Sequence, residues 1–303
     1  MAFLPGYIKL YENGELSKRI KSLNERLSNC TICPRRCGVD RNRGVLGICR
    51  IGASPVVSAA HPHLGEEPVL VGKGGSGAIF MTYCNMKCVF CQNFDISQEG
   101  NGQEVTSEEL SMMMVRLQSQ GCHNINFVTP THQSPQIAAA LPKAIENGLR
   151  IPLVYNCGGY EEAGTIRLLD GIFDIYMPDF KYGDDDTAFM LSFAPGYVES
   201  AKAAIIEMHR QVGDLVLDAD GIAQKGIIVR HLVLPDGLAG TGEVMRFLAK
   251  EVSKDTYVNI MDQYRPGYMA ADNPELARPV TKEEFAEAVR LARAAGISRI
   301  GNF

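Results

Sequence analysis

No run in the 303-residue chain stays apolar over the roughly 20 residues that a membrane helix needs, so no spanning segment is expected. Met1 to Tyr11 also lacks a basic stretch feeding an apolar one, which removes the signature of an export signal and makes the cytoplasm the expected compartment. Lysine and arginine number 30 against 35 aspartates and glutamates, a formal net charge of −5, and no basic run stands out; nucleic acid is not an expected partner. Nor is there compositional bias: 46% hydrophobic and 21% charged residues exclude a disordered or collagen-like chain. No repeat with a period of roughly 20 to 50 residues is visible. GKGGSG (72–77) has Gly where a phosphate loop has Ser or Thr after its Lys, and reads as a turn into a strand. What remains is one large α/β unit with a small appended module.

Cysteine is the residue present in an informative pattern. A reducing compartment keeps thiols free, so clusters among the nine point to metal rather than to disulfides. Cys30, Cys33, Cys37 and Cys49 lie in a Gly-, Pro- and Arg-containing stretch with few apolar residues, which suggests a module tied together by metal. Four soft ligands close a coordination sphere, suiting structural zinc or an auxiliary cluster, with Arg35, Arg36, Arg41 and Arg43 offsetting the thiolate charge. Ahead of them Leu16, Ile20, Leu23 and Leu27 make one helical stripe, expected to pack on the module.

From Gly77 onward short apolar runs alternate with amphipathic stretches, as in repeated βα units on a parallel sheet. Strands are expected over 78–83, 124–129, 151–155, 172–177, 226–234 and 257–261. Helices are expected at Ser107–Gln120 behind Thr106, Pro135–Asn147, Val198–Val212 and Lys282–Ala294 behind Thr281. Right-handed crossovers curl such units into a partial (β/α)6 TIM-like barrel. The expected division is residues 1–75 for the helix and Cys-rich module and 76–303 for the barrel.

Cys84, Cys88 and Cys91 follow the first barrel strand as C-x3-C-x2-C. A protein-held cubane takes four thiolates, so three leave one iron open to another ligand. From spacing alone a zinc site completed by a distant residue, or three unrelated buried thiols, fits as well. The run with aromatic Phe90 on the loop after the first strand resembles the radical S-adenosylmethionine (SAM) superfamily. GSGAIFMTYCNMKCVFCQN and the later IYMPDFKY resemble its pyruvate formate-lyase activating enzyme branch, over nearly the whole chain.

The resemblance implies that Cys84, Cys88 and Cys91 hold a [4Fe-4S] cluster whose open iron takes the amino and carboxylate groups of SAM, with Phe90 lining the adenine pocket. It further implies that Asp179 helps bind a monovalent cation and Lys181 contacts the SAM carboxylate, while Asn156 stands where the branch has an acidic cation partner. Thr129 to His132 replaces the Gly-Gly-Glu that often holds the amino group, leaving backbone carbonyls and the Thr129 or Thr131 hydroxyl for that task. The implied activity is reductive cleavage of SAM to a 5′-deoxyadenosyl radical for hydrogen abstraction, with glycyl radical enzyme activation as the precedent. A donor such as flavodoxin or ferredoxin would supply the electron, and the substrate is a protein, peptide or small molecule. The reading from another class is a non-catalytic iron-sulfur electron-transfer or metal-binding protein.

Of the remaining residues, one of Arg230 and His231 faces the barrel interior, because strand side chains alternate. An inward Arg could grip a carboxylate and an outward His would pack under a helix. HPHLGEEP, with His61, His63, Glu66 and Glu67, is expected to shape a lid. His132 reads as a loop hydrogen-bonder. Asp262, Gln263, Tyr264 and Arg265 are expected near substrate or adenine, and Cys157, at a strand end, is a better functional candidate than Cys122.

Overall fold

Alternation along each strand decides what the barrel encloses. In the run from Asn124 to Val128, Ile125 and Phe127 pack into the main apolar core beneath the helices, while Asn124 and Asn126 hydrogen-bond to Leu70 O and Glu66 on the other side of the sheet. Val154, Ile175, Met177 and Ile228 enclose Leu70 in a second, smaller core inside the barrel. The computed structural model describes residues 3–301.

Its ten-stranded sheet comprises β1 (Val56–His63), β2 (Ser76–Met81), β3 (Gln103–Glu104), β4 (Ile125–Val128), β5 (Leu153–Cys157), β6 (Ile175–Pro178), β7 (Val216–Leu217), β8 (Ala223–Leu232), β9 (Tyr257–Met261) and β10 (Arg299–Gly301). Strands β2, β4, β5, β6, β8, β9 and β10 are parallel neighbours in that order. All six expected barrel strands form. β10, three residues long, extends the series, and β1 closes the opposite side as an antiparallel strand beside β2. β10 and β3 end the strand order without pairing to each other among the described residues, so the barrel is partial.

Helices Ser107–Ser119 and Lys282–Ala295 each begin in a capping box, Thr106 with Glu109 and Thr281 with Glu284. Each box satisfies orphan backbone donors locally, which is why these starts are legible in sequence. Among the described residues no helix is long and apolar enough to cross a membrane.

The N-terminal segment differs from the expected single helix. Helices Gly6–Glu12 and Glu15–Glu25 are separated by Gly14 in the left-handed conformation. Leu16 and Leu23 bury in the barrel's apolar core rather than on the Cys-rich segment, and Arg19 Nη1 donates to Arg167 O (2.8 Å). Only Leu27 joins the segment, packing with Cys30 and Ile32. Residues 56–75, counted with this segment on sequence, belong structurally to the barrel: β1 pairs with β2, and helix Pro68–Val71 places Leu70 inside.

Asp174 fastens the N-terminal helices to the barrel. Its Oδ1 accepts from Gly6 N (2.8 Å) and its Oδ2 from Leu153 N (3.1 Å). Replacing it leaves these donors without a partner, so Asp174→Ala is expected to lower stability by about 2 kcal/mol in a urea titration, without changing far-ultraviolet circular dichroism.

Candidate active site

The βα loops converge at the carboxyl ends of the parallel strands. One cavity there is lined by Cys84, Cys88 and Cys91 together with Phe90, Thr129, Asn156, Asp179 and Lys181, so the residues singled out on sequence meet in space. The cysteine loop is pinned from outside: Lys87 N and Val89 N donate to Ser192 O and Leu191 O (both 2.9 Å), and Arg35 Nε donates to Asn85 O (2.8 Å). Gly159 makes the neighbouring strand end possible. It has φ +80°, and a Cβ there would fall 2.1 Å from Asp179 O.

Each cysteine sulfur has a polar neighbour. Met86 N donates to Cys84 Sγ (3.3 Å), Ser192 Oγ donates to Cys88 Sγ (2.9 Å), and Ser97 Oγ lies 3.1 Å from Cys91 Sγ. Burial pushes the Cys84 thiol up to about 12, so metal binding must displace its proton. Three thiols on one cavity with donors beside them suit an iron-sulfur cluster, which spreads its thiolates over separate irons. Cys157 also reaches the cavity, but its thiol sits against the buried Glu161 carboxyl. Ser97 and Ser192 carried no signal in sequence, because serine is common and Ser192 lies far along the chain from the cysteines.

Opposite the cysteines stands a partly buried ion network. Arg230 points inward: its Nε donates to Asp179 Oδ1 (2.8 Å), its Nη2 to Asn156 Oδ1 (2.7 Å) and its Nη1 to Glu66 Oε1 (3.2 Å). Glu66 Oε2 accepts from Asn126 Nδ2 (2.9 Å) and Asn156 Nδ2 (3.2 Å), and Lys181 Nζ donates to Asp179 Oδ2 (2.6 Å). Burial alone would raise the Asp179 pKa, but Arg230 and Lys181 outweigh it and hold the carboxyl below its usual range. Burial likewise disfavours the Lys181 charge, yet Asp179 and Cys88 hold its pKa above the ordinary value. The oxygens of Asp179 and Asn156 that face the strand-end network already accept from a guanidinium, which supplies the positive charge from within the chain.

Other expectations resolve individually. Glu66 and Glu67 lie within the barrel on the turn leading to the Leu70 plug, so HPHLGEEP is no lid. Thr129 lines the cavity at φ +61°, a strained conformation for a β-branched residue, whereas the Thr131 hydroxyl is spent on Glu161 Oε1 (2.6 Å). His132 is buried with Nε2 against Thr82 O (2.8 Å), and burial pushes its pKa down to about 3, leaving it a neutral loop hydrogen-bonder. His231 packs outward between Phe180 O and Thr241 Oγ1. Gln263 reaches the cavity, while Tyr264 stands behind it, its ring edge-on to Phe90 (5.8 Å) and its hydroxyl donating to Leu276 O.

Around the N-terminal cysteines, Cys30, Cys33 and Cys49 are buried and Cys37 is exposed. Arg41, 1% exposed, sends Nη1 to His132 O (2.8 Å) and toward Cys30 Sγ (3.9 Å). Among the described residues no three His, Cys, Asp or Glu side chains are grouped as one metal ion would require, so the arrangement lends zinc no support.

Arg230→Leu strips Glu66 and Asp179 of their cation inside the barrel. The variant is expected to lose about 3 kcal/mol of stability in a denaturant titration, because Glu66 loses its cation, and Asp179 one of its two, in a partly buried setting.

Comparison with known proteins agrees with this geometry. The Radical SAM superfamily model matches residues 78–219, from β2 through the cysteine loop to β7. Two uncharacterized proteins of Methanocaldococcus jannaschii are similar over most of their length: MJ0674, 33% identical over 91% of this chain and 78% of that protein, and MJ0808, 24% identical over 91% and 84%. Among solved structures, the FeFe-hydrogenase maturase HydG from Carboxydothermus hydrogenoformans superposes with a TM-score of 0.52 at 11% identity, covering 75% of this chain and 52% of that one. The chain spans about half of HydG, and the likeness is one of fold. These matches reach the superfamily and not the pyruvate formate-lyase activating enzyme branch. With the cysteine loop at the mouth of a partial barrel and the family match running through both, the chain belongs to the radical SAM superfamily of enzymes.

Proposed function

We propose that this protein reductively cleaves SAM and uses the resulting 5′-deoxyadenosyl radical to take a hydrogen atom from a substrate. One observation carries the reading: Cys84, Cys88 and Cys91 share a cavity with a partly buried lysine-carboxylate-arginine network that a mere electron carrier has no use for. When bound by the three thiolates, a [4Fe-4S] cluster supplies the electron that breaks the S–C5′ bond of SAM, drawn from a low-potential donor such as flavodoxin or ferredoxin.

The chain's own residues bind and orient. Lys181 spends one N–H bond on Asp179 and has two left for the SAM carboxylate. Thr129 offers oxygen atoms at the cavity wall for the ammonium group, in place of the missing Gly-Gly-Glu. Phe90, braced edge-on by Tyr264, presents apolar surface to the adenine. Val128, Leu232 and Met261 add apolar lining that helps to exclude water from the radical's path.

Anaerobically reconstituted protein supplied with SAM and dithionite is expected to release methionine and 5′-deoxyadenosine, read by mass spectrometry. Lys181→Met is expected to weaken SAM binding about 10- to 100-fold, the loss of a charge-assisted contact, while keeping the cluster's visible absorption. Cys88→Ala is expected to lose that absorption. A fully loaded protein that binds SAM but forms no 5′-deoxyadenosine would establish the electron-carrier reading instead.

A further inference from the structure

A second cavity, of about 680 Å³, adjoins the cysteine cavity and shares Arg230, Met261 and Gln263 with it. Its floor carries two buried side chains with unmet hydrogen-bonding capacity. Glu67 is 3% exposed; its Oε1 accepts from Asn259 Nδ2 (2.8 Å), and its Oε2 has no partner. Asn259 is 4% exposed, and its Oδ1 also has none. As a carboxylate Glu67 offers an acceptor at Oε2, and Asn259 Oδ1 is one too, so what completes them is a donor. An unpaired buried acceptor is destabilising, and a ligand that donates to it removes that penalty.

The charge points the same way. Glu66, Glu67 and Asp262 line this cavity, with Arg230 the one cation among its described lining residues, and all three of that arginine's nitrogens are engaged by Asp179, Asn156 and Glu66. Above the floor the walls are apolar, with Leu64, Ile260, Phe285 and Val289 among them. No third His, Cys, Asp or Glu joins Glu67 to make a metal site among the described residues. The volume suits a small organic ligand or a long side chain.

We infer that this cavity binds a primary ammonium group on an aliphatic stem, with Glu67 Oε2 and Asn259 Oδ1 accepting its N–H bonds and the apolar walls holding the stem. Burial pushes the Glu67 carboxyl up to about 7, as befits a site whose counter-charge arrives with the ligand. Calling the occupant a substrate rests on the SAM-cleaving function proposed above; its binding does not.

Calorimetric titration of the anaerobically reconstituted holoprotein with n-hexylamine and n-hexanol tests the inference. The amine is expected to bind at least about tenfold more tightly than the alcohol, the effect of one charge-assisted hydrogen bond. Glu67→Gln, which keeps the shape, is expected to remove that preference while leaving the melting temperature and cluster absorption in place. N-acetyl-lysine methylamide distinguishes the sources: binding alongside n-hexylamine supports a lysine side chain as occupant, and its exclusion while the amine binds supports a free amine. Equal affinity for amine and alcohol, a preference that survives Glu67→Gln, or displacement of the amine by saturating SAM would each overturn the inference. Formation of 5′-deoxyadenosine, measured without amine on the same preparation, reports separately on the proposed function.

Discussion

The Arg230 guanidinium organises the interior of this barrel. A parallel sheet buried on both faces tolerates charge only where partners are fixed, and Arg230 joins β8 to Asn156 on β5, to Asp179 after β6 and to Glu66 on the turn before the Leu70 plug. Lys181 then leans on Asp179, and Asn126 on Glu66. The polar residues at the mouth are thus held by one another, in geometry set by a rigid planar fork that a lysine could not reproduce. Orientation of the cavity wall is a property of the whole network.

What the sequence revealed follows the range of the interactions involved. Strands and capped helices are written in local periodicity and in pairs such as Thr106 with Glu109 and Thr281 with Glu284, so their positions were readable to within a few residues. The three cysteines and Phe90 stand within eight residues on one loop, and their shared cavity was legible for the same reason. Glu66 was misread because its partners come from three distant strands. Its short acidic motif resembles any surface loop until the plug carries it inward. β10 escaped notice because three residues carry too little pattern.

Backbone conformation was illegible in another way. Nothing in the run of Thr129 and Pro130 marks a left-handed threonine; that conformation is imposed from outside, where Thr129 N donates to Asn156 O (2.8 Å) on the neighbouring strand. The glycines at 158 and 159 are the counterpart, small where Met86 and Asp179 approach closely. Tertiary crowding, not local propensity, fixed both strand ends.

The arginines of the Cys-rich segment give that segment a bearing on how the enzyme is put together. Arg35 holds Asn85 O in the middle of the cysteine loop, and Arg41 holds His132 O just past β4, so one short stretch grips two of the βα loops that frame the mouth. The stretch adds no strand to the sheet, yet both loops lean on it. The cavity's rim therefore depends on a part of the chain that lies outside the sheet: whatever loosens this stretch loosens two βα loops at once.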